Sequence, residues 1–160
     1  YYLLLCDGMG SGEEARNEAM GTSALLKELI ESGLEAHDAM QTINGLYILR
    51  DGGGFSAIDL LQVSLVSAEG FLHKWGAAPS FLKFGRTLQT LGSPLPPPGL
   101  GVGRSYGPAC IRVSLQRGEA LILTSDGICK AVGSFRCGSL PPVWSEAARM
   151  QYPTTARPPC

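Results

Sequence analysis

Charge of one sign is what this 160-residue sequence most lacks: 13 Lys and Arg stand against 14 Asp and Glu, a formal net charge of −1. With no basic run, nothing in it is addressed to nucleic acid or to an anionic membrane surface. Long hydrophobic runs are missing as well. No stretch approaches the ~18 uninterrupted apolar residues of a membrane-spanning helix, and the front carries no basic, then apolar, then small-residue leader. There is no initiator Met, so the chain reads as a fragment whose first residues already lie in a strand. The five cysteines, Cys6, Cys110, Cys129, Cys137 and Cys160, are odd in number and include no Cys-x-x-Cys pair. That argues against a disulfide framework or a structural zinc site. It points to a reducing, cytoplasmic compartment, with Cys6, Cys110 and Cys129 read as small core residues.

What is present suits one globular domain: 44% hydrophobic and 17% charged residues over a length able to bury a core. The chain opens on Leu3-Leu4-Leu5-Cys6-Asp7-Gly8-Met9-Gly10-Ser11-Gly12, a buried strand that delivers a carboxylate to a glycine-rich corner. Ser11 and Glu14 have the spacing of a capping box, and Ala15, Ala19, Thr22, Leu26, Leu29 and Ile30 recur at helical spacing up to a stop at Ser32-Gly33. A second helix is expected over Leu34 to Leu49, broken by Asp51-Gly52-Gly53-Gly54. Strands follow at Phe55 to Val66, Phe71 to Trp75, Phe81 to Phe84, Thr87 to Leu91, Ile111 to Leu115 and Glu119 to Thr124. Gly85-Arg86 has the form of a two-residue hairpin loop, and Gly92 to Gly99 that of a rigid proline-rich connection. Helices grouped before a set of antiparallel strands indicate an α+β layered domain. Beyond Val132 the pattern degrades into a segment with five prolines and only a weak helical pattern over Val143 to Met150, so residues 133–160 are expected to be a poorly ordered tail.

A second apolar strand, Leu121-Ile122-Leu123, also ends in an Asp-Gly corner, Thr124-Ser125-Asp126-Gly127, more than a hundred residues after the first. Strand-end carboxylates beside glycines suit Mg²⁺ or Mn²⁺, which take oxygen ligands; Asp-Gly is also a common turn. Asp59, inside an apolar strand, needs partners in either a structural or a site role. His37 and His73 read as helix-surface and strand residues. Ser11 reads as a cap, since no Ser/His/acid arrangement surrounds it, and the first corner lacks the Gly-Lys-Ser/Thr ending of a P-loop.

The segment Cys6 to Ala15 resembles the Asp-Gly-Met-Gly motif of the PP2C-type metal-dependent protein phosphatases, most closely their sporulation stage II protein E branch. Phe55-Ser56-Ala57-Ile58-Asp59-Leu60, Lys74-Trp75-Gly76-Ala77-Ala78-Pro79-Ser80-Phe81 and Leu121 to Gly127 resemble further elements of that branch, in order, over residues 3–132. The resemblance implies a PP2C-like αββα sandwich of two antiparallel sheets flanked by helices, here truncated at both ends. It implies a site for two Mn²⁺ or Mg²⁺ ions, with Asp7 and Asp126 as candidate catalytic residues and metal ligands and Gly8 as a carbonyl ligand. The implied substrate is phosphoserine or phosphothreonine on a partner protein, in this branch an anti-sigma-factor antagonist of the STAS type. A homodimer is compatible with it, and membrane attachment would come only through segments of a longer parent. The family's early acidic residue and its late Asp have no counterpart here, Glu146 being the sole acid after Asp126. A catalytically dead regulatory or binding module is therefore the alternative reading.

Overall fold

In a computed structural model the described residues are 1–50, 54–92, 95–100 and 107–132. Asp51 to Gly53, Ser93-Pro94 and residues 133–160, with the expected tail and its helical pattern, lie outside them. The order is β1 (Tyr2–Gly8), α1 (Gly12–Glu31), α2 (Ala36–Leu49), β2 (Ser56–Val63), β3 (Glu69–Trp75), β4 (Ser80–Phe84), β5 (Thr87–Leu91), β6 (Ala109–Ser114), β7 (Ala120–Ile122) and α3 (Asp126–Val132). Every strand pairing is antiparallel, in one sheet ordered β1-β2-β3-β6 and a second ordered β5-β4-β7.

Period-two alternation sorts the side chains of the first sheet onto two faces. Ile58, Leu60 and Trp75 point to one face and pack with Leu26 of α1 and Ala39, Met40, Ile43 and Tyr47 of α2. Leu61, Val63, Leu72 and Val113 point to the other, where they meet Leu91, Leu82 and Leu121 of the second sheet. The result is a helical layer on a two-sheet sandwich. The helical layer is also pinned by a polar cluster: the Thr22 hydroxyl donates to Glu18 O at 2.8 Å and meets the Tyr47 and Ser56 hydroxyls.

Several expectations need correcting. Ser11 caps no amide with its side chain. It is exposed between Gly10 (φ 101°) and Gly12 (φ 77°), two left-handed steps that carry the chain into α1 without folding the hydroxyl back over the first turn. Among the described residues the first strand is an edge strand, not a buried one: there it pairs only with β2, and Tyr1, Tyr2 and Leu3 are exposed. The long strand from Phe55 ends at Val63, because the chain turns at Ser64 (Ser64 N donates to Glu69 O, 2.9 Å) and leaves Leu65 and Val66 in solvent. Cys110 is exposed rather than core; helix α1 packs over β1 and β2, and β6 lies beyond them. Cys6 is half-buried, and burial pushes its thiol up to about 11.

Candidate metal centre

The first corner is built by close packing of β1 on α1. A Cβ on Gly8 would stand 1.9 Å from the carbonyl oxygen of Ala15, so only glycine lets the end of the strand lie against the first turns of the helix. Met9 N donates to Phe55 O at 2.7 Å, fixing the corner to the start of β2. Asp7, opposite Ala57 in the β1–β2 register, is thereby carried to the rim of the first sheet. The second corner belongs to the other sheet. β7 pairs with β4, Phe81 facing Ile122, and Asp126 opens α3 three residues after Leu123.

The two corners meet. The backbone N–H of Asp126 donates to Asp7 Oδ2 at 3.2 Å, across 119 positions of sequence. Asp7 thus serves a first amide of α3, and the two carboxylates and the Gly8 backbone share one end of the sandwich. This donor set consists of hard oxygens, the kind that Mg²⁺ and Mn²⁺ take. Among the described residues no three of His, Cys, Asp and Glu form a group that could hold a metal ion; the two carboxylates match a divalent cation in the kind of donor they offer. His37 and His73 are not brought there: His37 sits exposed on α2, and His73 is buried in mid-sheet on β3.

The family profile described as Stage II sporulation protein E (SpoIIE) matches residues 1–154. The chain belongs to the SpoIIE family. It is 33% identical over 130 residues to Stage II sporulation protein E of Priestia megaterium and 34% identical over 130 residues to that of Bacillus subtilis (strain 168). Each alignment covers 80% of this chain, and 22% and 15% of the respective relative, so the chain spans less than a quarter of either. It is also similar to a solved structure of the PP2C phosphatase domain and a fragment of the regulatory domain of SpoIIE from Bacillus subtilis. That likeness has a TM-score of 0.74 and 28% identity, and covers 96% of this chain and 44% of the other. The fold is the PP2C-type α+β sandwich.

Within this SpoIIE-family sandwich, Asp59 has a structural partner. Lys74 Nζ donates to Asp59 Oδ1 at 2.5 Å, to Ser80 Oγ at 2.7 Å and to Ala78 O at 2.8 Å, so its three protons meet three acceptors. Burial pushes the Asp59 carboxyl up and the Lys74 ammonium down, while their mutual attraction opposes both shifts. Next to this cluster the Thr124 hydroxyl donates to Pro79 O at 2.6 Å and touches Cys129 Sγ at 3.3 Å. The sequence reading attached no chemistry to Lys74 or Thr124. The available signal was a Lys and an Asp on consecutive apolar strands, which the β2–β3 register sets directly opposite one another.

Proposed function

We propose that this chain carries part of the centre of a metal-dependent protein serine/threonine phosphatase, with Asp7, Asp126 and the Gly8 carbonyl as ligands of Mn²⁺ or Mg²⁺. The observation that supports it most is the Asp126 N–H to Asp7 Oδ2 contact, which joins two Asp-Gly corners that arise on different sheets. Membership of the SpoIIE family is consistent with the same reading.

Bound divalent ions supply Lewis acidity at phosphorus and a water activated for in-line displacement. The chain's own residues do the holding. Asp7 and Asp126 place negative charge where a cation can neutralise a phosphoryl group, and β1, pinned at Gly8 and Met9, keeps one carboxylate fixed relative to the other. Glycines 10, 12 and 127 add no side chains over the corner, and a Cβ at Gly10 or Gly12 would meet nothing within 4 Å. A bulky phosphoprotein segment can therefore approach it. In the hydrolysis the water oxygen bonds to phosphorus, the bond to the serine or threonine oxygen breaks, and that oxygen takes a proton. The substrate class we propose is a cytoplasmic phosphorylated anti-sigma-factor antagonist of the STAS type, as the family resemblance implies.

The test is hydrolysis of p-nitrophenyl phosphate and of a phosphorylated STAS protein by the full chain, with Mn²⁺ titrated by calorimetry. We expect divalent-dependent turnover that falls by about 10² or more in Asp7→Asn and Asp126→Asn, since the lost term is electrostatic stabilisation of the transition state. Turnover that survives chelation refutes the metal mechanism. Affinity for the STAS protein with no Mn²⁺ binding supports the regulatory-module reading instead.

A further inference from the structure

Asp7 lies at the end of β1 in the first sheet and Asp126 opens α3 just past β7 of the second, so their spacing depends on whatever ties the two sheets together at that end. Asp59 on β2 lies one strand in from Asp7, and Lys74 on β3 faces it across the ladder. The Lys74 ammonium reaches out of the first sheet to Ala78 O and Ser80 Oγ, at the entry to β4 of the second. The next tie is made by Thr124. In the β4–β7 register Phe81 faces Ile122, and the same register continued sets Pro79 opposite Thr124. The ladder ends at Phe81 and Ile122, and beyond it the Thr124 hydroxyl donates to the Pro79 carbonyl at 2.6 Å. Two residues further on is Asp126. Asp59, Lys74, Ser80 and Thr124 are all at most 2% exposed, so water does not compete for these bonds.

We propose that Thr124 is a positioning residue for the candidate centre. Its bond to Pro79 O ties the segment before Asp126 to the entry of β4, where the Lys74 bond to Ala78 O joins the first sheet, and the two together form a polar strut that sets where Asp126 stands against Asp7. The proposal rests on the metal-phosphatase reading only for the purpose of the strut. The strut itself concerns the Asp126 corner whether or not metal binds.

The experiment is amide exchange with water, followed by NMR on the full chain without metal, in Thr124→Val and Thr124→Ser. Valine keeps the shape and removes the donor; serine keeps the donor. We expect the Asp126 amide to exchange about tenfold faster in Thr124→Val, equivalent to ~1.4 kcal/mol of local opening. The Leu60 and Leu72 amides, in the middle of the first sheet, should stay unchanged, and Thr124→Ser should restore the Asp126 rate. An unchanged Asp126 rate overturns the proposal. So does an equal acceleration at Asp126, Leu60 and Leu72, which would mean that the hydroxyl only stabilises the fold. Mn²⁺ calorimetry on the same proteins tests the purpose: affinity should fall about tenfold in Thr124→Val and recover in Thr124→Ser. If the unsubstituted chain binds no Mn²⁺, the metal reading fails by itself, and the exchange rates still decide the strut.

Discussion

Gly8→Ala places one methyl group against backbone that cannot swing away. The new Cβ would lie 1.9 Å from Ala15 O, 2.7 Å from Ala15 C and 3.0 Å from Ala15 Cα, where ordinary contact begins near 3.4 Å. Relief requires β1 and α1 to part by about 1.5 Å, an overpacking distortion of the kind that costs ~1–3 kcal/mol. That movement also strains the 2.7 Å bond from Met9 N to Phe55 O and the 3.2 Å bond from Asp126 N to Asp7 Oδ2. Losing one of them adds about 1 kcal/mol. The total, roughly 2–4 kcal/mol, corresponds to a Tm lowered by about 5–15 °C for a chain of this size. Thermal unfolding followed by circular dichroism measures it. Gly21→Ala is the matched control: its Cβ would meet nothing within 4 Å inside α1, so the same chemical change should stabilise by about 0.5–1 kcal/mol. A Gly8→Ala protein that melts within about 2 °C of the parent would show that the close approach of strand and helix is not a constraint.

Three further outcomes follow from buried groups. His73 has its pKa lowered by burial first and His37 second, and its Nδ1 finds no partner among the described residues. The unfolded chain therefore binds more protons as pH falls through the ordinary histidine value of 6.5, and stability drops on that acid side. His73→Phe should reduce the loss of Tm between pH 7.5 and 5.5, and an unchanged slope contradicts the assignment. Lys74→Met should cost about 3–5 kcal/mol by leaving the buried Asp59 carboxylate without its counter-charge, whereas Lys74→Met with Asp59→Leu should recover most of it; urea unfolding of both variants is the measurement. Cys6, with its thiol near 11, should be alkylated by iodoacetamide at least ten times more slowly than exposed Cys110, as read by peptide mass spectrometry. Equal rates would contradict the burial of Cys6.

The features legible in the sequence were those set by near neighbours. Leu26, Ala39, Met40 and Ile43 recur at helical spacing and do form the helical face of the core. Gly85, at φ 57°, makes the hairpin its position suggested. The two Asp-Gly corners were visible because each is a local string of apolar residues, acid and glycine. Hidden features depend on pairing across distance. The Lys74–Asp59 contact needs the β2–β3 register, and the Thr124 bond needs β7 to lie beside β4 so that the segments past their last pair meet. Cys110 was misplaced because its neighbours in sequence are apolar while its neighbours in space do not cover it. The capping box failed at Ser11 for a related reason: spacing cannot report that Gly10 and Gly12 both turn left-handed.

The bond between residues 126 and 7 also sets an order of events. Its two ends are separated by 119 positions, and contacts of that separation form only after the intervening chain has lost much of its freedom. β1 leaves a ribosome well before β7, and the Asp126 N–H can reach Asp7 only once β7 and the turn after it have been made and docked onto β4. A nascent chain short of Asp126 can hold helices, the first sheet and a hairpin, yet not the pair of carboxylates. The contact between the two corners is thus among the last long-range pairings that the described residues can make.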